Sequence, residues 1–311
     1  MSEFFDIHTH VGEQINDLYD EPEVFPRKET IQELVEKYDE RIEKIVTFPM
    51  PGTVFFNYDG SETIRSQTGK SSFPYQLENK ALIESVDKYD KNNKIIPFAC
   101  VDPKIMVSEQ IEALDNLSQN NRLVGLKFHT LDTNCTVDDF FVNNEIVAFC
   151  KEKQIPIMIH SANFNNVENC NGIFRWANQY PDINMCVAHL MTFSETFFKQ
   201  LSTYQGNNLF TDISPFLGLC QMIKQIPDIG PQLDLPYDSP NEVLSTLYKY
   251  FSKFLLWGSD EPFGKFKLSD EYYVNNTLEE ELKFLFSLEP SIRERIAGEN
   301  SRRYLNIKQS S

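Results

Sequence analysis

Basic residues are scarce in this chain of 311 residues. Lys and Arg together number 29 against 46 Asp and Glu, so the formal net charge is −17 at pH 7, and the pI is near 4.7. Nucleic acids and anionic membranes repel such an acidic protein at long range, and we expect neither as a partner. A small molecule remains as the expected substrate, and assembly into a homodimer stays open.

Paired cysteine motifs and long apolar runs are absent from the sequence as well. The six cysteines show no CxxC spacing, and most lie inside apolar segments, as reduced core thiols do. No apolar run approaches the ~20 residues of a membrane-spanning helix. The first predicted strand begins within a few residues of Met1, which leaves no room for a signal peptide. Together these features favour a cytoplasmic protein.

Histidine is also scarce, with only five in the chain. Two of them, His8 and His10, end the opening strand-like run FFDIHTH, and residues i and i+2 of a strand point to the same face. Two imidazoles side by side can occupy adjacent coordination positions on one metal ion. The other three end the apolar runs LVGLKFH, IPIMIH and INMCVAH, as His129, His160 and His189.

Apolar strands and amphipathic helices alternate along the whole chain. The predicted strands cover residues 4–10, 45–48, 95–101, 123–129, 155–160, 183–189, 209–213 and 254–257. Eight buried strands separated by helices predict a (β/α)8 TIM barrel, in preference to a doubly wound open sheet, as one domain over residues 1–311. Residues 51–76 and 214–240 show no sustained periodicity and are predicted as long loops after the second and seventh strands.

The active site of such a barrel lies at the C-terminal ends of its strands. Asp260 follows the eighth predicted strand, so we expect it beside the histidines on one rim. His8, His10, His160 and Asp260 form a mixed nitrogen and oxygen donor set that suits one Zn²⁺, with Mn²⁺, Fe²⁺ or Ni²⁺ as alternatives. An ion held in this way lowers the pKa of a bound water from ~16 toward ~7 and so activates it at neutral pH.

Asp260 is suited to accept the proton of that water and pass it to a leaving group, although it could also simply begin a turn before Pro262. His189 could hydrogen-bond the water, polarise a substrate carbonyl or bind a second metal. His129 either lines the substrate site or holds a loop.

Two cations are further candidates for the substrate site. Lys127 shares a strand face with His129, and a salt bridge to Asp260 or Asp212 is favoured over a carboxylated lysine that bridges two metals. Arg65, in the first long loop, is predicted to pair with a substrate carboxylate.

Six short motifs follow one another through the chain: DIHTH, GLKFH, IMIHSA, VAHLM, GSDEP and GENSRRYL. Their order and spacing resemble the amidohydrolase superfamily, specifically its amidohydrolase-related branch of metal-dependent TIM barrels. The resemblance implies metal ligation by His8, His10 and His160. It also implies that Asp260 is both a ligand and the proton carrier, and that His189 is a catalytic residue beside the metal.

The same branch contains both hydrolases and non-oxidative decarboxylases similar to aminocarboxymuconate-semialdehyde decarboxylase. Decarboxylase-like members follow the sixth-strand histidine with glycine, whereas Leu190 follows His189 here. The sequence therefore favours a metal-dependent hydrolase of an amide, ester or lactone bond in a small molecule. A decarboxylase of a small aromatic or unsaturated acid is the alternative, and a barrel with a structural metal that acts through a partner is the third.

Overall fold

A computed structural model describes residues 4–13, 28–50, 71–119, 123–160, 167–226, 232–267 and 273–308. Eight parallel strands form a TIM barrel, and each pairs with the next in chain order. The strands are β1 Phe4–Glu13, β2 Ile42–Pro49, β3 Ile95–Cys100, β4 Gly125–His129, β5 Ile157–His160, β6 Met185–Val187, β7 Leu209–Asp212 and β8 Leu255–Leu256. The predicted fold class is confirmed.

The barrel closes between β1 and the chain segment that follows β8. Strand β8 has only two residues, but the hydrogen bonding to β1 continues beyond it. The Ile7 amide donates to the Trp257 carbonyl at 3.2 Å, and the Asp260 amide donates to the His8 carbonyl at 2.8 Å. These contacts bring the first histidine pair next to Asp260.

The helices cover the outside of the barrel and alternate with the strands. They are α1 Ile31–Lys37, α2 Gln76–Tyr89, α3 Val107–Ser118, α4 Val137–Phe141, α5 Asn144–Lys153, α6 Val167–Gln179, α7 Glu195–Thr203, α8 Phe216–Gln225, α9 Pro240–Phe251, α10 Leu278–Ser287, α11 Pro290–Glu294 and α12 Asn300–Tyr304. Capping boxes begin α1 and α10, where Thr30 and Thr277 each bond reciprocally with a glutamate three residues on. No helix in the described part of the chain is long and apolar enough to cross a membrane.

Helix α8 lies inside the segment 214–240 that the sequence predicts as a loop. Its buried residues Phe216, Leu219, Cys220 and Ile223 have the three- and four-residue spacing of one helix face. The prolines that surround this short stretch hide that period in the sequence. The other predicted loop, 51–76, falls mostly on residues 51–70, which lie outside the described residues.

Two apolar layers hold the barrel together. The inner layer fills the barrel and includes Phe5, Ile7, Val46, Phe48, Phe98, Met158, Phe210, Leu256 and Tyr304, while a larger outer layer lies between strands and helices. Gly125 is required by this packing, because a Cβ there would meet the Phe98 ring at 2.4 Å. All six cysteines are buried free thiols.

Candidate metal centre

A bulge in β1 determines where its two histidines lie. Asp6 pairs with Ile45 of β2 and Thr9 pairs with Thr47, so β1 advances three residues where β2 advances two. The extra residue breaks the simple alternation of faces. Ile7 can therefore join the apolar filling of the barrel while His8, the next residue, still reaches the candidate site.

Three buried ligand atoms converge where β1 meets the end of β8. His8 Nε2 lies 3.3 Å from Asp260 Oδ1, and His10 Nε2 lies 3.2 Å from the same oxygen. Two ligands bound at ~2.1 Å to a tetrahedral Zn²⁺ are separated by about 3.4 Å. The spacing of these three donors therefore fits one divalent ion.

Asp212, at the C-terminal end of β7, orients His8. Its Oδ2 lies 3.0 Å from His8 Nδ1. A carboxylate accepts a hydrogen bond, so Nδ1 carries the proton and the Nε2 lone pair stays free for a metal. The other oxygen, Oδ1, accepts from the His189 amide at 3.1 Å and from the Ser214 hydroxyl at 2.5 Å. In the sequence Asp212 stands out only as a partner for Lys127, although its place at a strand end is the same signal that marks the histidines.

His189 lies beyond β6, which ends at Val187 rather than at His189 as predicted. The chain turns sharply there, because every residue from His189 to Phe193 has a positive φ, between 48° and 61°. Nδ1 of His189 lies 2.5 Å from the Ser214 carbonyl oxygen, and Nε2 lies 3.0 Å from His160 Nδ1. This departure from the strand is what allows His189 to reach β5 and β7 at once.

The hydrogen bonds of His189 fix the tautomer of His160. A carbonyl only accepts, so His189 Nδ1 donates to Ser214 and, in a neutral ring, Nε2 accepts. His160 Nδ1 must then be the donor, which leaves its Nε2 lone pair free for a ligand. Among the residues that the structure describes, the groups close enough to hold an ion are His8 with His10 and Asp260, and His8 with His189 and Asp212. His160 is in neither group, so the four predicted ligands share a rim without forming one cluster.

His129 and Lys127 extend the site along β4. The His129 ring stacks on His160 with centroids 4.0 Å apart, and its Nδ1 accepts from the Asp132 amide at 3.2 Å. Its Nε2 therefore carries the proton and can donate. Lys127 Nζ lies 3.4 Å from His8 Nε2 and 4.2 Å from the centre of the Phe48 ring. In the described part of the chain no ion pair within 4.0 Å joins Lys127 to Asp212 or Asp260; the ammonium lies over the aromatic ring and beside the imidazole. Arg65 lies outside the described residues.

Burial decides the charge of these groups. It lowers the pKa values of His8, His10, His129 and His160 well below the usual range, so all four are neutral at pH 7, the form that binds metals. Burial also lowers the pKa of Lys127. It raises the pKa of Asp260 to about 6, which leaves a carboxylate at neutral pH that is basic enough to take up a proton.

Residues 6–307 match a family model described as amidohydrolase. The chain belongs to the amidohydrolase family. The resemblance inferred from the six motifs is thereby confirmed, and family membership suggests an enzyme. No curated protein is detectably similar to the chain in sequence.

Solved structures share the fold of this amidohydrolase over nearly its whole length. A probable 2-pyrone-4,6-dicarboxylic acid hydrolase from Acinetobacter baumannii has a TM-score of 0.63 and 15% identity, and the match covers 98% of this chain and 99% of that one. The 4-oxalomesaconate hydratase of Rhodopseudomonas palustris has a TM-score of 0.57 and 15% identity, and the match covers 98% of this chain and 96% of that one. The IDCase of Metarhizium anisopliae has a TM-score of 0.53 and 13% identity, and the match covers 99% of this chain and 98% of that one. At such identities the likeness shows the fold alone.

Proposed function

We propose that this amidohydrolase is a metal-dependent hydrolase that adds water across an amide, ester or lactone bond of a small molecule. The convergence of His8 Nε2, His10 Nε2 and Asp260 Oδ1 carries the proposal, because it offers three lone pairs to one ion in a buried site. Zn²⁺ suits this donor set best. When bound, it supplies a Lewis acid that makes water acidic at neutral pH and polarises a carbonyl.

His160 is the proposed fourth ligand. Its support is the tautomer argument above: with Nδ1 donating to His189, the only lone pair left on the ring is at Nε2. The ring must move relative to the three converging donors for that atom to join them.

The remaining residues would handle the substrate and the proton. Asp260 would bind the ion through Oδ1, accept a proton from the attacking water on its other oxygen, Oδ2, and deliver that proton to the leaving nitrogen or oxygen. His189 would act by positioning His160 through Nε2, with its own ring held by Ser214 through Nδ1. His129 Nε2–H and the Lys127 ammonium are donors for further substrate oxygens on the β4 side.

A non-oxidative decarboxylase is the second candidate, and the backbone conformation after His189 is compatible with it. Leu190 has a φ of 53°, a left-handed conformation that glycine adopts most readily. The conformation that suits the glycine of decarboxylase-like members is thus present, although the residue is leucine.

Product analysis of purified protein separates the two reactions. The first substrate to try is 2-pyrone-4,6-dicarboxylic acid, which the name of the Acinetobacter relative supplies, followed by other small lactones, esters, amides and unsaturated acids. In ¹⁸O-labelled water a hydrolase places one labelled oxygen in its product, whereas a decarboxylase releases carbon dioxide and takes up a solvent proton on carbon. Carbon dioxide as the sole small product would replace the hydrolase with the decarboxylase.

Metal analysis tests the site itself. We expect about one divalent ion per chain in the wild type and a large loss in His8→Ala. Equal metal content in the two proteins would reject the proposed ligands.

A further inference from the structure

Asp6 is not a proposed ligand, but it connects β1, which carries His8 and His10, to the segment after β8, which carries Asp260. Its Oδ1 accepts from the His8 amide at 3.1 Å and from the Ser259 amide at 3.0 Å. Asp6 and Ser259 are 253 positions apart in sequence, and the carboxylate is fully buried. One oxygen therefore binds the backbone of a histidine ligand and the backbone that immediately precedes Asp260.

Tyr38, the residue that follows helix α1, adds its hydroxyl to the hydrogen bonds between Asp6 and Ser259. Its hydroxyl lies 2.6 Å from Asp6 Oδ2 and 2.9 Å from Ser259 Oγ. The carboxylate must accept, so Tyr38 donates to Asp6 and accepts from Ser259. Ser259 Oγ in turn accepts from the Glu261 amide at 3.1 Å. The hydrogen bonds thus reach both residues that flank Asp260.

Asp260 lies at a strained point of this junction, although its own amide donates to the His8 carbonyl at 2.8 Å. Its φ is 59°, a left-handed conformation that residues other than glycine keep only where the surrounding contacts hold them in it. Strand β8 stops at Leu256, and beyond it single backbone bonds continue the contact with β1, such as the one from the His10 amide to the Glu261 carbonyl at 2.7 Å. Gly258 lets the two strands come close, because a Cβ there would meet His8 Cβ at 2.8 Å.

We propose that Asp6, Tyr38 and Ser259 are positioning residues that set the distance between the His8–His10 pair and Asp260, and thereby the affinity for a divalent ion. We call these three residues the seam clamp, since they hold β1 to the end of β8. The inference rests on the metal site of the proposed function. Its particular content is that Tyr38, which follows helix α1, controls metal binding without touching the metal.

Tyr38→Phe is the decisive variant, and Tyr204→Phe is its matched control. Both remove a buried tyrosine hydroxyl, and Tyr204 donates to Asn208 at 2.5 Å just before β7, at the opposite end of the barrel from the ligands. The dissociation constant for Zn²⁺ is measured by competition with a chromophoric chelator, and the geometry of the site is read from the visible spectrum of the Co²⁺-loaded protein. Thermal unfolding of the metal-free proteins measures stability separately.

We expect Tyr38→Phe to weaken Zn²⁺ binding about 10-fold or more, the usual effect of losing an outer-shell hydrogen bond, and to change the Co²⁺ spectrum. Tyr204→Phe should alter stability but leave both metal readouts at wild-type values. Ser259→Ala removes the same network from its other end and should shift affinity in the same direction, which covers the case that Tyr38→Phe fails to fold.

Two failures are distinguishable. If the wild type binds Zn²⁺ but Tyr38→Phe and Ser259→Ala keep its affinity and spectrum, the seam clamp is merely structural and the inference is wrong. If the wild type itself binds no Zn²⁺, the proposed metal-dependent function is wrong, and the role proposed for the seam clamp is wrong as well.

Discussion

His160 Nδ1 lies 3.0 Å from His189 Nε2, which links the last residue of β5 to a residue just beyond β6. Ring contacts extend this pair to all five histidines of the chain. The centroids are 4.0 Å apart for His129 and His160, 4.7 Å for His160 and His189, 4.7 Å for His189 and His8, and 5.3 Å for His8 and His10. Within this array His189 sets the tautomer of His160, so a substitution at His189 acts on both residues.

Asp260→Asn should separate metal binding from proton transfer. The amide keeps the shape of the side chain and one ligating oxygen but is not basic. We expect the metal to be partly retained and kcat to fall by roughly 10²-fold or more, as is usual for a lost general base. Steady-state kinetics and elemental analysis check this. Asp39→Asn, which breaks an exposed pair with Arg41, serves as the control and should have wild-type kcat. Unchanged turnover in Asp260→Asn would remove Asp260 from the mechanism.

Asp212→Asn should disturb two histidines with one change. Asp212 Oδ2 accepts from His8 Nδ1 and Oδ1 accepts from the His189 amide, so an amide group cannot reproduce both contacts. We expect metal affinity to fall about 10- to 100-fold, measured by chelator competition. The matched control is Asp102→Asn, another buried carboxylate that accepts backbone N–H groups, in this case from Lys104 and Ile105. Similar losses in both variants would indicate a general effect of buried carboxylates and not an orienting role for Asp212.

His129→Phe tests the proposed substrate contact without removing the stacked ring. Phenylalanine can still pack on His160 but has no Nε2–H to donate. We expect metal content to stay at the wild-type level and kcat/KM to fall about 10-fold, the upper range for one hydrogen bond. Activity assays on a confirmed substrate, together with metal analysis, decide the outcome. Loss of the metal instead would mean that His129 supports the ligands rather than the substrate.

Glu281 should make the protein less stable as the pH rises. It is buried in α10, where it accepts from the Leu217 amide at 2.8 Å and from the Asn276 side chain at 2.5 Å. Burial raises its pKa from 4.5 to about 8. The folded protein therefore keeps a proton that the unfolded chain releases, so this contribution is complete below about pH 4.5 and is lost as the pH rises toward 8.

Urea unfolding between pH 5 and pH 8 measures this dependence. We expect the free energy of unfolding to fall more steeply with pH in the wild type than in Glu281→Gln, whose side chain does not titrate. Glu279→Gln, at an exposed position of the same helix, should follow the wild-type curve. Parallel curves for wild type and Glu281→Gln would show that Glu281 is ionised in the folded protein at neutral pH.

The barrel and its rim were accessible from sequence because each depends on local patterns. Apolar runs that stop at a polar residue mark strand ends, and His129 and His160 are indeed the last residues of β4 and β5. The departures occur where distant contacts override the local pattern. His189 leaves its strand to reach Ser214, and the bulge in β1 moves His8 relative to Ile7. No local spacing encodes either event.

The partners of the site residues were the part that sequence could not supply. Asp212 and His8 are 204 positions apart, and Asp6 and Ser259 are 253 apart. An aspartate at a strand end is visible in the sequence, but which histidine it orients depends on how the barrel closes. That the chain is one domain remains a prediction.

Because the barrel closes between its first and last strands, the proposed metal site would be complete only late in folding. A nascent chain has His8 and His10 from the start, but it lacks Asp260 until the eighth strand has been synthesised and docked. An ion bound by all three residues can stabilise only the finished barrel, by mass action on the native state. Contacts formed this late slow unfolding without speeding folding. Metal supply should therefore lengthen the lifetime of the folded protein and leave its folding rate unchanged.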